Sequence, residues 1–169
     1  MKHYIRTLSL FLFISFSFSQ TQLGSDIDGE AEDDWSGRSV SMNSAGDRVA
    51  IGAINNDGAG HVRVYEYSNA SWAQLGSDID GEAAGDNSGI SVSMCSAGDR
   101  VAIGAYYNDG TGDDAGHVRV YEYSNSSWTQ LGSDIDGEST NDNFGCSVSM
   151  DSDGDRVAIG ARYNDGTGD

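Results

Sequence analysis

The chain has 169 residues, with 27 Asp+Glu against 9 Lys+Arg, 23 Gly, two Cys and no Pro. Leu, Ile, Val and Phe total 31, and so few aliphatic residues beside a net charge of −18 is a composition usual for disorder. The same figures exclude collagen, a Pro-rich linker and a disulfide-stapled mini-protein, and they make nucleic acid an unsuitable partner, because phosphate binding runs on Lys and Arg.

Residues 1–19 read as a secretory signal peptide. Lys2 and Arg6 supply the charged start, Leu8–Phe18 the apolar core, and Ser17-Phe18-Ser19 a small-x-small cleavage site before Gln20. The apolar run is near a dozen residues, against about 20 for a membrane span, and no later stretch is apolar enough to span. The expected location is therefore extracellular: secreted or at the cell surface. Past residue 19 every basic group is Arg, and the 27 acids remain.

Internal repeats overturn the disorder reading. Leu23–Ala53 recurs at Leu75–Ala105 with 26 of 31 residues the same, and again at Leu131–Ala161. The spacing grows from 52 to 56 through one insertion, where Asn56-Asp57-Gly58-Ala59-Gly60 becomes the longer run Asn108–Gly116. A connection that absorbs four residues while its surroundings repeat is a surface loop. Self-similarity at this period marks a solenoid, propeller or array.

Gln22-Leu23-Gly24, in the segment 20–34, matches the last strand of a repeat with no earlier strands before it. Four strands follow: Ser39–Met42, Arg48–Ala53, His61–Tyr67 and Trp72–Gly76, separated by turn residues at Asn43–Asp47 and Ser68–Ser71. No stretch carries apolar residues at helical spacing over three turns. The predicted fold is all-β, with β-propeller blades of four antiparallel strands. Residues 35–79 form the first blade, 80–135 the second and 136–169 part of a third. Such a propeller is incomplete, about two and a half blades plus an orphan closing strand, so further blades are expected in C-terminal sequence beyond residue 169. Small residues such as Ser39, Ser41, Gly52 and Ala53 suit the crowded interior, with Tyr65, Tyr67 and Trp72 as anchors further out.

Phe144-Gly145-Cys146-Ser147-Val148-Ser149-Met150, followed by Ile159-Gly160-Ala161, resembles the FG-GAP repeat, the blade unit of integrin α-chain propellers and of many bacterial surface proteins. Repeats one and two have Ser36-Gly37 and Ser88-Gly89 in place of Phe-Gly, and Ile54, Tyr106 and Arg162 stand where the family has Pro. The resemblance implies extracellular adhesion or recognition of a protein or glycan ligand, in some members with calcium in the loop between the FG and GAP strands. The alternatives are a non-catalytic propeller scaffold of an exported enzyme and a purely structural acidic array.

Two acidic clusters are candidate Ca²⁺ ligands. Asp151, Asp153 and Asp155 alternate around Gly154 in the FG-to-GAP loop, the way a short loop presents carboxylate oxygens to a hard cation. Asp78, Asp80, Glu82 and Asp86, with their copies in the other repeats, have offsets 0, 2, 4 and 8, close to a calcium-loop spacing. Plain Asp/Gly turns are the alternative at both places. His61 and His117, equivalent copies with no second His or Cys beside them, read as structural. No Ser-His-acid set stands out, and a residue repeated in every blade is architecture before it is an active site, so no catalysis is expected. Cys95 and Cys146 fall in neighbouring first strands too far apart along the chain direction to bridge, and Asp47-Arg48 reads as a surface pair.

Overall fold

A computed structural model describes residues 21–166; the segment 1–19, read above as a signal peptide, lies outside them. The described residues form two five-stranded antiparallel sheets and one two-stranded sheet. The first sheet contains β1 (Ser36–Met42), β2 (Arg48–Ala53), β3 (His61–Ser68), β4 (Ser71–Gln74) and β5 (Ile79–Asp80). The second repeats it as β6 (Ser91–Met94), β7 (Arg100–Ala105), β8 (His117–Ser124), β9 (Ser127–Gln130) and β10 (Ile135–Asp136). The third comprises β11 (Phe144–Met150) and β12 (Val157–Ala161). The fold is the expected all-β set of propeller blades, incomplete in the described residues.

The outer edge of each blade differs from the sequence reading. The fourth strand is divided: β4 and β5 both pair with β3, and β9 and β10 both pair with β8. Between β4 and β5 the ladder is held by the Leu75 N–H donating to the Val64 carbonyl, and the chain bulges over Gly76–Asp78. That bulge moves Asp78 out of register and toward β3, with a consequence for the site below. Residues 21–35 contain no strand, so Gln22–Gly24 is not a paired orphan strand. A strand needs a ladder partner, and among the described residues none stands beside it. It nevertheless lies where a fourth strand would: the Trp72 indole donates to the Leu23 carbonyl at 2.9 Å, as Trp128 donates to Leu75 at 2.7 Å.

β3 and β4 are joined by the two residues Asn69 and Ala70, both at positive φ (51° and 61°), the signature of a type I′ hairpin; Asn125 and Ser126 repeat it at 51° and 65°. The type I′ turn twists in the same sense as its strands, which explains why so short a connection recurs.

Register sorts each blade into two faces of different bulk. Across β1, β2 and β3, Val40 opposes Ile51 and Ile51 opposes Arg63, while Met42 opposes Val49 and Val49 opposes Tyr65. These form the bulky face. The alternate residues Ser39, Gly52 and Val62, with Ser41, Ala50 and Val64, form the small face. The core is made where the small face of the first blade meets the bulky face of the second: Ala50, Val62 and Val64 pack with Met94, Val101 and Ile103, all buried. Complementary bulk lets a chain poor in aliphatic residues close-pack, because each large side chain enters space left by Ser, Ala and Gly.

Two glycines set the closeness of that junction. Gly89 begins the second blade at φ +87°, and its carbonyl accepts from the Ser39 hydroxyl at 2.6 Å. A Cβ on Gly52 would lie 2.1 Å from that same carbonyl oxygen. The next junction repeats the device, Ser91 donating to Gly145 O at 2.7 Å, with a Cβ on Gly104 again 2.1 Å from that carbonyl oxygen. Hydroxyls complete the seam: Met94 N–H donates to Ser41 Oγ and Met150 N–H to Ser93 Oγ.

Candidate functional site

The acidic segment between blades is shaped by its own composition. Asp34 is buried and turns its carboxylate back to accept from the backbone N–H groups of Glu30 (2.9 Å) and Ala31 (3.2 Å). Burial pulls this carboxyl up, but the backbone donors of Ala31, Glu30 and Ser36 outweigh it and hold Asp34 below its ordinary value. Asp86 and Asp142 do the same for Ala83 and Ser139 and also accept from Asn108 and Asn164, each at 2.9 Å. The last acid of each cluster is therefore a turn-holding group. Gly81 follows as a necessity of packing, since a Cβ there would meet the Ala59 carbonyl at 2.6 Å. With the turn fixed this way, Glu30 and Glu82 point toward the first residue of β3 and of β8.

That residue is a histidine buried to 1% exposure, His61 in the first blade and His117 in the second. His61 Nδ1 lies 3.9 Å from Glu30 Oε2 and 3.7 Å from Asp78 Oδ2. His117 Nδ1 lies 3.8 Å from Glu82 Oε2 and 3.8 Å from Asp134 Oδ2. These separations exceed a hydrogen bond, and Nδ1 of both rings, together with Nε2 of His61, has no hydrogen-bond partner. A buried polar atom left unmet costs about 1–3 kcal/mol. Burial, reinforced by Arg119 and opposed by Asp134 and Glu82, lowers the His117 imidazole below its ordinary value, so that ring is neutral near pH 7. Burial likewise raises the phenols of Tyr65 and Tyr121 nearby.

An arginine two residues along fixes each glutamate. Arg63 sets Nη1 3.4 Å from Glu30 Oε1 and donates Nη2 to the Asp28 carbonyl at 3.0 Å. Arg119 repeats both contacts with Glu82 (3.4 Å) and Asp80 O (3.1 Å). The guanidinium holds one carboxylate oxygen, leaving the other facing imidazole.

The sequence-predicted ligands are thus divided differently from the way the chain presents them. Asp78, Asp80, Glu82 and Asp86 are not all brought together: Asp78 belongs with His61, Glu82 with His117, Asp80 offers its carbonyl to Arg119, and Asp86 holds a turn while sharing the Asn108 amide with Glu82. In the FG-to-GAP loop, Asp151 is occupied by that loop, accepting from the N–H groups of Asp155 (3.1 Å) and Arg156 (3.2 Å), as Asn43 does for Asp47 and Arg48. Partial desolvation raises Asp151, but the backbone donors Arg156, Asp155 and Gly154 bring it below its ordinary value. A hydrogen bond to Asp151 raises Asp155. Asp153 is exposed. Among the described residues, the groups of three His or acidic residues whose ligand atoms lie within 4.8 Å of one another are the two around His61 and His117.

Three other expectations meet the structure here. Cys95 and Cys146 are both free thiols. Arg48 pairs with Glu66 across β2 and β3 at 2.7 Å and reaches the Gly98 carbonyl of the next blade at 3.3 Å, so it is a junction residue and not a partner of Asp47. The histidines are legible in the sequence only as repeated copies, because neither has a second His or Cys beside it and their partners are carboxylates distant in sequence.

Residues 134–169 match the family model described as FG-GAP repeat. The matched stretch contains β11 and β12, and the first two repeats carry the same strands, the same positive-φ glycine and the same close glycine contact. That stretch is an FG-GAP repeat. Both glycines of the name have a physical role visible in these blades: the glycine of the GAP strand in one blade packs on the carbonyl of the FG glycine in the next. No curated protein matches the chain. Among the described residues no helix is long and apolar enough to cross a membrane.

Proposed function

We propose that this chain is an exported, extracellular binding or adhesion module, carried out of the cell by residues 1–19 and continued by further blades, with no catalysis by these residues. The observation that carries this reading is the separation of constant scaffold from variable loops. The strands and junction glycines repeat almost unchanged, whereas the β2–β3 connection gains four residues on going to β7–β8. Those loops hydrogen-bond to the inter-blade segments, Gly81 N–H to Gly60 O and Gly137 N–H to Gly116 O, each at 2.8 Å, so both lie at one end of the stack.

At that end a polar cavity of about 490 Å³ opens between Thr111 of the longer loop, Glu138 and Thr140 of the inter-blade segment, and Tyr163 and Asp165 beyond β12. Tyr163 is 63% exposed. An exposed aromatic ring beside hydroxyls and carboxylates suits a polyhydroxyl glycan or a polar peptide better than an apolar ligand. Screening the chain against glycans and matrix proteins, with and without Ca²⁺, tests the reading. Binding that falls at least tenfold in Tyr163→Ala supports it, and a folded chain that retains no ligand of either class, or binds equally well without Tyr163, contradicts it.

A further inference from the structure

We propose that each blade junction carries a binding site for a divalent transition-metal ion of the zinc type, ligated by His61, Glu30 and Asp78 in the first blade and by His117, Glu82 and Asp134 in the second. The two sites are distinct from a calcium loop in composition and in place. One ligand comes from the segment entering the blade, one from the start of the third strand and one from the bulge that divides the outer strand.

Four observations carry the assignment. Each imidazole is almost wholly buried, and its Nδ1, aimed at two carboxylate oxygens, has no hydrogen-bond partner. The nitrogen-to-oxygen separations of 3.7–3.9 Å are too long for hydrogen bonds. A tetrahedral zinc-type ion with bonds of about 2.0–2.1 Å holds its ligand atoms roughly 3.4 Å apart, so a few tenths of an ångström brings each carboxylate oxygen to that distance from Nδ1, and all three ligand atoms already lie within 4.8 Å of one another. Second, the donor set decides the class: a neutral imidazole with two carboxylates suits Zn²⁺ and its neighbours, whereas Ca²⁺ and Mg²⁺ prefer oxygen alone. Two carboxylates balance the charge of the ion.

Third, the geometry is the same in both blades although the loop between glutamate and histidine is four residues longer in the second, so the arrangement is held by the junction and not by loop length. Fourth, outer contacts orient the ligands: Arg63 and Arg119 hold the far oxygen of each glutamate, and Asn56 and Asn108 donate to the near oxygen at 3.3 and 3.4 Å. The carboxylates are 29–46% exposed, which leaves a path for an ion and room for water in the remaining positions.

Zn²⁺ competition against a chromogenic chelator, followed by Co²⁺ absorption spectroscopy, tests the assignment on the whole chain. The expected result is two equivalents of Zn²⁺, one in His117→Gln and none in the double variant His61→Gln/His117→Gln, with a parallel loss of the Co²⁺ visible band. Because those imidazoles are buried, the variants Glu82→Gln/Asp134→Asn and Glu30→Gln/Asp78→Asn are measured beside them. They leave the rings in place, and each is expected to lose one equivalent, or at least tenfold in affinity, while keeping the wild-type circular dichroism. Cys95→Ser/Cys146→Ser is expected to retain both equivalents. Absence of Zn²⁺ binding by the folded chain, a stoichiometry indifferent to the carboxylate pairs, or a loss of binding in the cysteine variant would overturn the proposal.

Discussion

The first and second blades present the same bulky face to different surroundings. In the first blade Val40 is 63% exposed and Met42 53%; in the second, the equivalent Val92 is half-buried and Met94 is 7% exposed. The strands, register and nearly all residues are the same, so the difference comes from what lies opposite. Met94 faces the Ser, Ala and Gly surface of the preceding blade, and Met42 faces none among the described residues. A blade of this kind therefore has little core of its own. It has two half-interfaces, and burial is completed by a neighbour, as expected of repeat architectures whose stability is largely nearest-neighbour coupling.

The largest effect expected from that coupling is at the junction glycines. Gly104→Val forces a side chain against the backbone of Gly145 and is expected to cost about 3 kcal/mol or more. Gly160→Val, at the same position of the third repeat, meets only the movable hydroxyl of Ser147 at close range and should cost about 1 kcal/mol. Equilibrium urea unfolding measures both, and equal losses would break the comparison. Next, Met94→Ala should cost about 2–3 kcal/mol through the cavity it leaves, while Met42→Ala stays within about 0.5 kcal/mol, the range of surface substitutions.

A smaller loss, about 1 kcal/mol, is expected for Trp128→Phe, which removes the donor to Leu75 but keeps the ring's packing. Trp72→Phe should lose less, because its contact with Leu23 is exposed. The smallest effect is a gain that is independent of neighbours. Ala70→Gly and Ser126→Gly relieve positive φ in the hairpin turns and should each stabilise by about 0.5–1 kcal/mol, equally in both blades. A difference between the blades in thermal denaturation of these two variants would show that the turns feel the junction.

Much of the architecture was legible because the sequence repeats. A period carrying four strand signals specifies a blade, and the small residues at alternate positions of β1 and β2 already point to a crowded junction. The two-residue strand β5 was not legible, since Ile79-Asp80 is too short for a periodic signal and sits inside what reads as a turn. That omission hid the bulge, and with it the position of Asp78. The acidic cluster was misgrouped for a related reason. Asp78 and Glu82 are neighbours in sequence, but the chain crosses from one blade to the next between them, so they serve different environments, while Glu82 and Asp86 share the Asn108 amide. Asp151 in turn repeats the role of Asn43, a correspondence that its charge concealed. The buried histidines showed only as repeated copies, because nothing local distinguishes a satisfied core ring from one whose nitrogen faces carboxylates brought in by other segments.

The dependence of burial on the neighbouring blade is tested most directly by oxidation of the methionines with dilute peroxide, read by peptide mass spectrometry over time. Met42 and Met94 occupy the same position in successive repeats, so intrinsic reactivity and local sequence largely cancel. Stacked blades predict that Met42 is oxidised at least several-fold faster than Met94, and that the difference disappears in denaturant. Equal rates under native conditions would mean that the second blade's bulky face is not covered by the first, and would contradict the stack.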